Sequence, residues 1–132
     1  MKKLIPLALL LALAACGSSS PTAPSVLQLA GTWKGTISDA AVPGSGPAQM
    51  TIAQTGSALS GSWNATGPFS TNTGQFTGNV SAASVVMTVT SSVSGSCPLT
   101  LNGTVNGAQM TGTYATFNCT SAGGGSFSLT KE

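Results

Sequence analysis

The chain has 132 residues and only six charged side chains, so it holds one small domain at most. Lys2 and Lys3 carry the whole formal charge of +2, because Lys34 and Lys131 balance Asp39 and Glu132, and the chain has no His and no Arg. General acid-base and nucleophilic catalysis need a positioned base, zinc needs a Cys, His or carboxylate set, and a nucleic-acid track needs several cations. This composition argues against an enzyme, a metal or cofactor site, and nucleic-acid binding.

Lys2 and Lys3 precede an apolar run from Leu4 to Ala15. Its length of about a dozen residues suits the h-region of a signal peptide and falls short of the roughly 20 residues of a membrane span. The run ends in Leu13-Ala14-Ala15-Cys16, which resembles the lipobox of bacterial lipoproteins. That resemblance implies loss of residues 1–15 and, on Cys16, a diacylglyceryl thioether with an amide-linked acyl chain such as palmitate. More than one chain makes membrane anchoring stable. Gly17 stands where this family uses Asp for inner-membrane retention, so the implied address is the outer membrane of the cell envelope.

Gly17 to Ser25 is rich in Ser, Thr and Pro, with nothing to bury. Residues 16–29 therefore read as a lipidated Cys and a tether reaching up to about 30 Å from the membrane. Residues 30–132 read as the folded domain.

Within that domain apolar and polar residues alternate, the period of half-buried strands. A pattern of apolar, any, Gly, small polar, apolar occurs at Trp33 to Ile37, Leu59 to Trp63, Phe76 to Val80, Leu101 to Val105 and Met110 to Tyr114. Its first, third and fifth positions share one face, so two apolar side chains and a Gly point inward, and repeated inward Gly argues for strongly coiled strands. Met50 and Ile52, the trio Val85, Met87 and Val89, and the pair Phe127 and Leu129 add three more strands. The expected fold is all-β, an eight-stranded antiparallel up-and-down (meander) β-barrel.

Gln54 and Leu59, Val80 and Val85, and Val105 and Met110 are each five positions apart across turn-rich gaps, so each pair predicts a tight hairpin. That register sets Ile52 against Gly61 and Met87 against Gly78, a large residue facing each Gly. Gly103 faces Gly112, where a side chain from elsewhere must fill the space or the interior stays open near Tyr114.

Gly31-Thr32-Trp33 resembles the Gly-x-Trp opening of the calycin group, lipocalins and avidins. Ala58-Leu59-Ser60-Gly61-Ser62-Trp63 resembles the third strand of avidins, so the likeness spans roughly residues 31–66. It implies a small antiparallel barrel that holds a ligand. The avidin residues that hold biotin are not matched: Lys34-Gly35-Thr36-Ile37 follows the first-strand Trp, and Trp63 replaces a Tyr.

Trp33, Trp63, Phe76 and Tyr114 all fall on the inward side, where they serve either as core or as the lining of a cavity. Gln54 and Asn118 lie inward or near a rim, either to orient a polar group or to bond a strand end. Trp33, Trp63, Tyr114 and Gln54 are the candidate ligand residues, for a small apolar or aromatic compound. The outward face is built from Ser and Thr with little charge, leaving little repulsion between molecules. The leading expectation is a lipid-anchored, non-catalytic ligand-binding barrel. The alternative is an interaction or structural lipoprotein with a filled interior, resembling barrel protease inhibitors and docking an envelope partner through an apolar loop such as Ala40 to Pro47.

Cys97 and Cys119 are the thiols left once Cys16 is modified, and an oxidising compartment predicts that they pair. The Val105 to Met110 register puts residue 97 opposite 118, so the pairing requires a bulge or a frayed strand end.

Overall fold

The computed structural model describes residues 17, 19–67 and 71–132; the expected signal segment and the lipidation site Cys16 lie outside the described residues. Eight strands follow in chain order: β1 (Gly31–Asp39), β2 (Ser45–Thr55), β3 (Ala58–Thr66), β4 (Thr71–Ser81), β5 (Ser84–Ser91), β6 (Leu99–Asn106), β7 (Gln109–Thr116) and β8 (Gly124–Lys131). Each pairs antiparallel with its neighbours and β8 returns to β1, so the sheet closes as an up-and-down barrel. Closure leaves no strand edge open for pairing.

The alternation works as the pattern requires. In β5, Val85, Met87 and Val89 are buried while Val86, Thr88 and Thr90 face solvent. The outward rows are hydroxyl-bearing: Ser60, Thr77, Thr88 and Thr100 stand in register across four strands. The three expected hairpins form at the expected register, with Gln54 opposite Leu59, Val80 opposite Val85 and Val105 opposite Met110.

Each hairpin turns on two residues whose first has positive φ, namely Gly56 (60°), Ala82 (52°) and Gly107 (60°), the II′ pattern that favours Gly there. The second turn residue passes its carbonyl to the strand that follows its hairpin. Val80 donates to Ser57 at 2.9 Å, Val105 to Ala83 at 2.8 Å and Lys131 to Ala108 at 2.8 Å.

Gly61 lies opposite Ile52 and Gly78 opposite Met87, as the pattern requires. Gly103 does face Gly112, but the space beside them is filled. The Phe127 ring of β8 lies 3.1 Å from where a Cβ on Gly103 would sit and 2.8 Å from one on Gly112. A residue of the next strand supplies the missing volume, so the interior near Tyr114 is not left open by this pair.

The hairpin end of the barrel is closed by the segment before β1. Leu29 is fully buried there, so the packed unit begins at Leu27, inside the stretch expected to be tether. The Leu29 amide donates to Gln54 Oε1 at 2.6 Å, and Gln54 Nε2 donates to the Leu27 and Gly56 carbonyls, each at 2.8 Å. Trp33, 0% exposed, donates its indole N–H to the Leu29 carbonyl at 2.8 Å.

Cys97 and Cys119 form a disulfide with Cα atoms 5.8 Å apart. The one-residue mismatch is absorbed past the strand ends. Leu99 opposite Thr116 is the last ladder pair, Phe117 then donates to the Pro98 carbonyl, and Asn118 takes a φ of 51° that swings Cys119 round to Cys97.

Candidate binding site at the loop end

At the end opposite the plug the β1–β2, β5–β6 and β7–β8 connections gather with the end of β3 and the start of β4, and the inward residues beneath them are apolar. They enclose a cavity of about 40 Å³ lined chiefly by Ile37, Met50, Trp63, Leu101, Tyr114 and Phe127. A void of that size admits a water or two by volume but has no polar lining to hold them. It is far below the roughly 300 Å³ of a small-molecule pocket. Below it, among the described residues, Met87, Phe76, Trp33 and Leu29 belong to one packed core cluster. A larger hollow, about 540 Å³ across Ser60, Thr77, Asn79, Val86 and Thr88, lies on the outer wall and is open to solvent.

Two aromatics frame the cavity, and each is held in the same way. Trp63 of β3 pairs with Gly74 of β4, lies over it, and donates its indole N–H to the Thr90 carbonyl of β5 at 3.0 Å. Tyr114 of β7 pairs with Gly125 of β8, lies over it, and donates its hydroxyl to the Ser38 carbonyl of β1 at 3.0 Å. A side chain at either glycine would collide with the ring; a Cβ on Gly74 would stand 2.7 Å from Trp63 Nε1 and one on Gly125 2.7 Å from the Tyr114 oxygen. Burial, and then the nearby Asp39 carboxylate, raise the Tyr114 phenol above its ordinary pKa.

The rim above these rings is mixed. Asn72 and Ser91 hydrogen-bond across β4 and β5, and the Asp39 carboxylate caps the β1–β2 turn by accepting from the Ala41 amide at 2.8 Å. Around them Ala40, Ala41, Pro43 and Val93 face solvent, Val93 at 53% exposure. The disulfide ties the β5–β6 connection to the β7–β8 connection at this same end.

Of the four candidate ligand residues, the structure brings Trp63 and Tyr114 together at the loop end. Trp33 and Gln54 lie at the other end, engaged with the plug, and Trp33 has no surface to offer a ligand. Phe76, weighed as core or lining, is core. Asn118 is exposed in the β7–β8 connection and serves the turn that sets the disulfide.

One signal in the sequence was missed. Gly61-Ser62-Trp63 and Gly74-Gln75-Phe76 recur as Gly112-Thr113-Tyr114 and Gly125-Ser126-Phe127, each 51 positions later. In both strand pairs the Gly of one triplet faces the aromatic of the other: Gly61 and Phe76, Trp63 and Gly74, then Gly112 and Phe127, Tyr114 and Gly125. The β3–β4 and β7–β8 pairs are thus similar units, and Trp63 and Tyr114 are equivalent positions that meet over one cavity.

The fold and this end define a closed eight-stranded up-and-down β-barrel with a filled interior and an aromatic-framed mouth. No protein-family model matches the chain, and no curated protein matches it in sequence.

Proposed function

We propose that the protein is a lipid-anchored, non-catalytic module of the cell envelope that docks an envelope partner through its loop end. The observation that carries this reading is the filled interior, whose about 40 Å³ void is too small to enclose a ligand. The exposed Ala40, Ala41, Pro43 and Val93 around the mouth supply the apolar rim such docking needs. The proposal keeps the calycin-like reading of Gly31-Thr32-Trp33 for the architecture, and the closed eight-stranded barrel is compatible with it. It does not carry the group's ligand binding over.

Anchoring is assigned to Cys16, with residues 1–15 removed and an outer-membrane address. The chain leaves the barrel at the plugged end, through Leu27. An anchor at Cys16 would therefore turn the plug toward the membrane and the loop end away from it, toward a partner.

A photo-crosslinking residue placed at Val93 or Ala41 is expected to yield one discrete adduct in intact cells, and the same residue at Thr88 on the wall none. Adducts from the wall alone would overturn the docking reading. Cys16→Ser is expected to abolish fatty-acid labelling and membrane fractionation; unchanged labelling would overturn the anchor.

A second reading is favoured by the pairing of Trp63 and Tyr114 over an apolar void. A small apolar or aromatic compound would enter the mouth and stack on these rings, bound mainly through buried area at about 25 cal/mol per Å². Saturable change in tryptophan fluorescence with an apolar probe, abolished by Trp63→Leu, would establish it in place of docking.

A further inference from the structure

We propose that the tether between the anchor and the plug is an acceptor of O-linked sugar, at Ser19, Ser20, Thr22 and Ser25. The inference rests on the export of the protein put forward above.

Residues 19–26 are exposed along their whole length; Ser25 and Val26 border a solvent-open hollow beside Ala82, Ala83 and Val105 of the barrel, and the chain first becomes partly buried at Leu27. Among the described residues, Ser20 to Ser25 make no hydrogen bond to the barrel. Pro21 and Pro24 fix φ and remove two amide donors, which favours an extended polyproline-type backbone without internal hydrogen bonds. Ser and Thr interspersed with Pro is the composition of O-glycosylated stalks.

Placement sharpens the case. The barrel wall also displays hydroxyls in quantity, Thr77, Thr88 and Thr100 among them, but their backbones are paired on both sides in the sheet. A glycosyltransferase has to take in the acceptor backbone on either side of the hydroxyl. A barrel strand cannot be drawn into such a groove without breaking the ladder, whereas the tether can. The hydroxyls of the tether are therefore set apart from those of the wall by backbone availability.

The donor class is a sugar activated at its anomeric carbon by a polyprenyl phosphate. The hydroxyl oxygen of Thr22 bonds to that carbon, the carbon–oxygen bond to phosphate breaks with its electron pair leaving on the phosphate, and the hydroxyl proton passes to the transferase's base. Nothing is oxidised or reduced. Sugars along this stretch would stiffen it, hold the barrel farther from the membrane and shield an accessible backbone from proteases.

The test uses the full-length protein purified from membranes of the organism that encodes it. After denaturation, tryptic cleavage following Lys34 releases residues 16–34 as one lipidated peptide. Mass spectrometry with electron-transfer fragmentation is expected to find whole sugar increments on Ser19, Ser20, Thr22 or Ser25. Replacing all four by Ala should remove the increments carried at those positions, and Thr88→Ala should leave them unchanged. A processed, lipidated peptide at its unmodified mass, or sugar on the strands, overturns the proposal. Retention of residues 1–15 on the membrane-purified protein overturns the export reading, and the glycosylation with it.

Discussion

The hydroxyl of Tyr114 donates to the carbonyl of Ser38 at 3.0 Å, joining β7 to β1 across the Gly125 strand between them. The bond ties the seventh strand to the first at the mouth of the barrel. Tyr114→Phe is expected to cost about 0.5–1.5 kcal/mol, the net worth of one hydrogen bond. Thermal unfolding would measure it.

The same residue sets an alkaline limit. Its folded-state pKa is raised above the ordinary 10.0, by burial first and Asp39 second. Stability from the neutral phenol is thus fully present below the unfolded pKa and is lost as pH rises through the folded one. Wild type is expected to lose melting temperature above about pH 10, and Tyr114→Phe to lose less over that window. Parallel curves for the two proteins would refute the assignment.

The plug depends on one amide. Gln54 accepts from Leu29 and donates to Leu27 and Gly56. Gln54→Ala should cost roughly 1–3 kcal/mol, because the Leu29 amide is left without its acceptor. As Leu29 frays, Trp33 fluorescence should shift to the red. An unshifted spectrum with unchanged stability would mean the plug does not hold Trp33.

Inward glycines are the tightest points of the wall. A Cβ on Gly61 would fall on the Thr51 carbonyl oxygen and 2.9 Å from the Phe76 ring; one on Gly78 would stand 2.8 Å from the Met87 backbone. Gly61→Val and Gly78→Val are each expected to cost roughly 1–3 kcal/mol or more. Thr111→Val on the exposed face should stay within about 0.5 kcal/mol. Equal denaturation midpoints for the three variants would contradict the register.

Ala82 occupies a position where the other two hairpins use Gly. Left-handed backbone costs a non-Gly residue roughly 1–2 kcal/mol, partly offset by the unfolded-state entropy that Gly adds. Ala82→Gly should therefore stabilise by about 0.5–1 kcal/mol in urea unfolding, and Gly56→Ala should destabilise by a similar amount.

Removal of the disulfide by Cys97→Ser with Cys119→Ser is expected to cost roughly 3 kcal/mol in the chain-entropy model. Two titratable thiols in native protein isolated under oxidising conditions would count against the pairing.

Much of the barrel was legible in the sequence because its information is local. Alternation at Val85, Met87 and Val89 assigns faces, and the five-residue step from Val80 to Val85 sets a register once a two-residue turn is assumed. These rules act between neighbours in the chain, and the strand count, meander order and three hairpins followed from them. The disulfide partners followed from elimination, whereas the Asn118 kink that lets them meet did not.

What only the tertiary structure decided is which inward side chains share a space. Pairing β8 with β7 brings Phe127 over Gly112 and beside Gly103, and closing β8 onto β1 brings Tyr114 beside Ser38, contacts that no local periodicity encodes. Leu27-Gln28-Leu29 is a single apolar–polar–apolar step next to a Ser, Thr and Pro stretch, too short to stand apart from it, and reads as tether until Gln54, 25 residues on from Leu29, supplies its hydrogen bonds. So Trp33 and Trp63, indistinguishable on the inward face of their strands, end differently. One is sealed beneath a plug and the other stands at an open mouth, because burial at a barrel's two ends is set by what the rest of the chain lays across them.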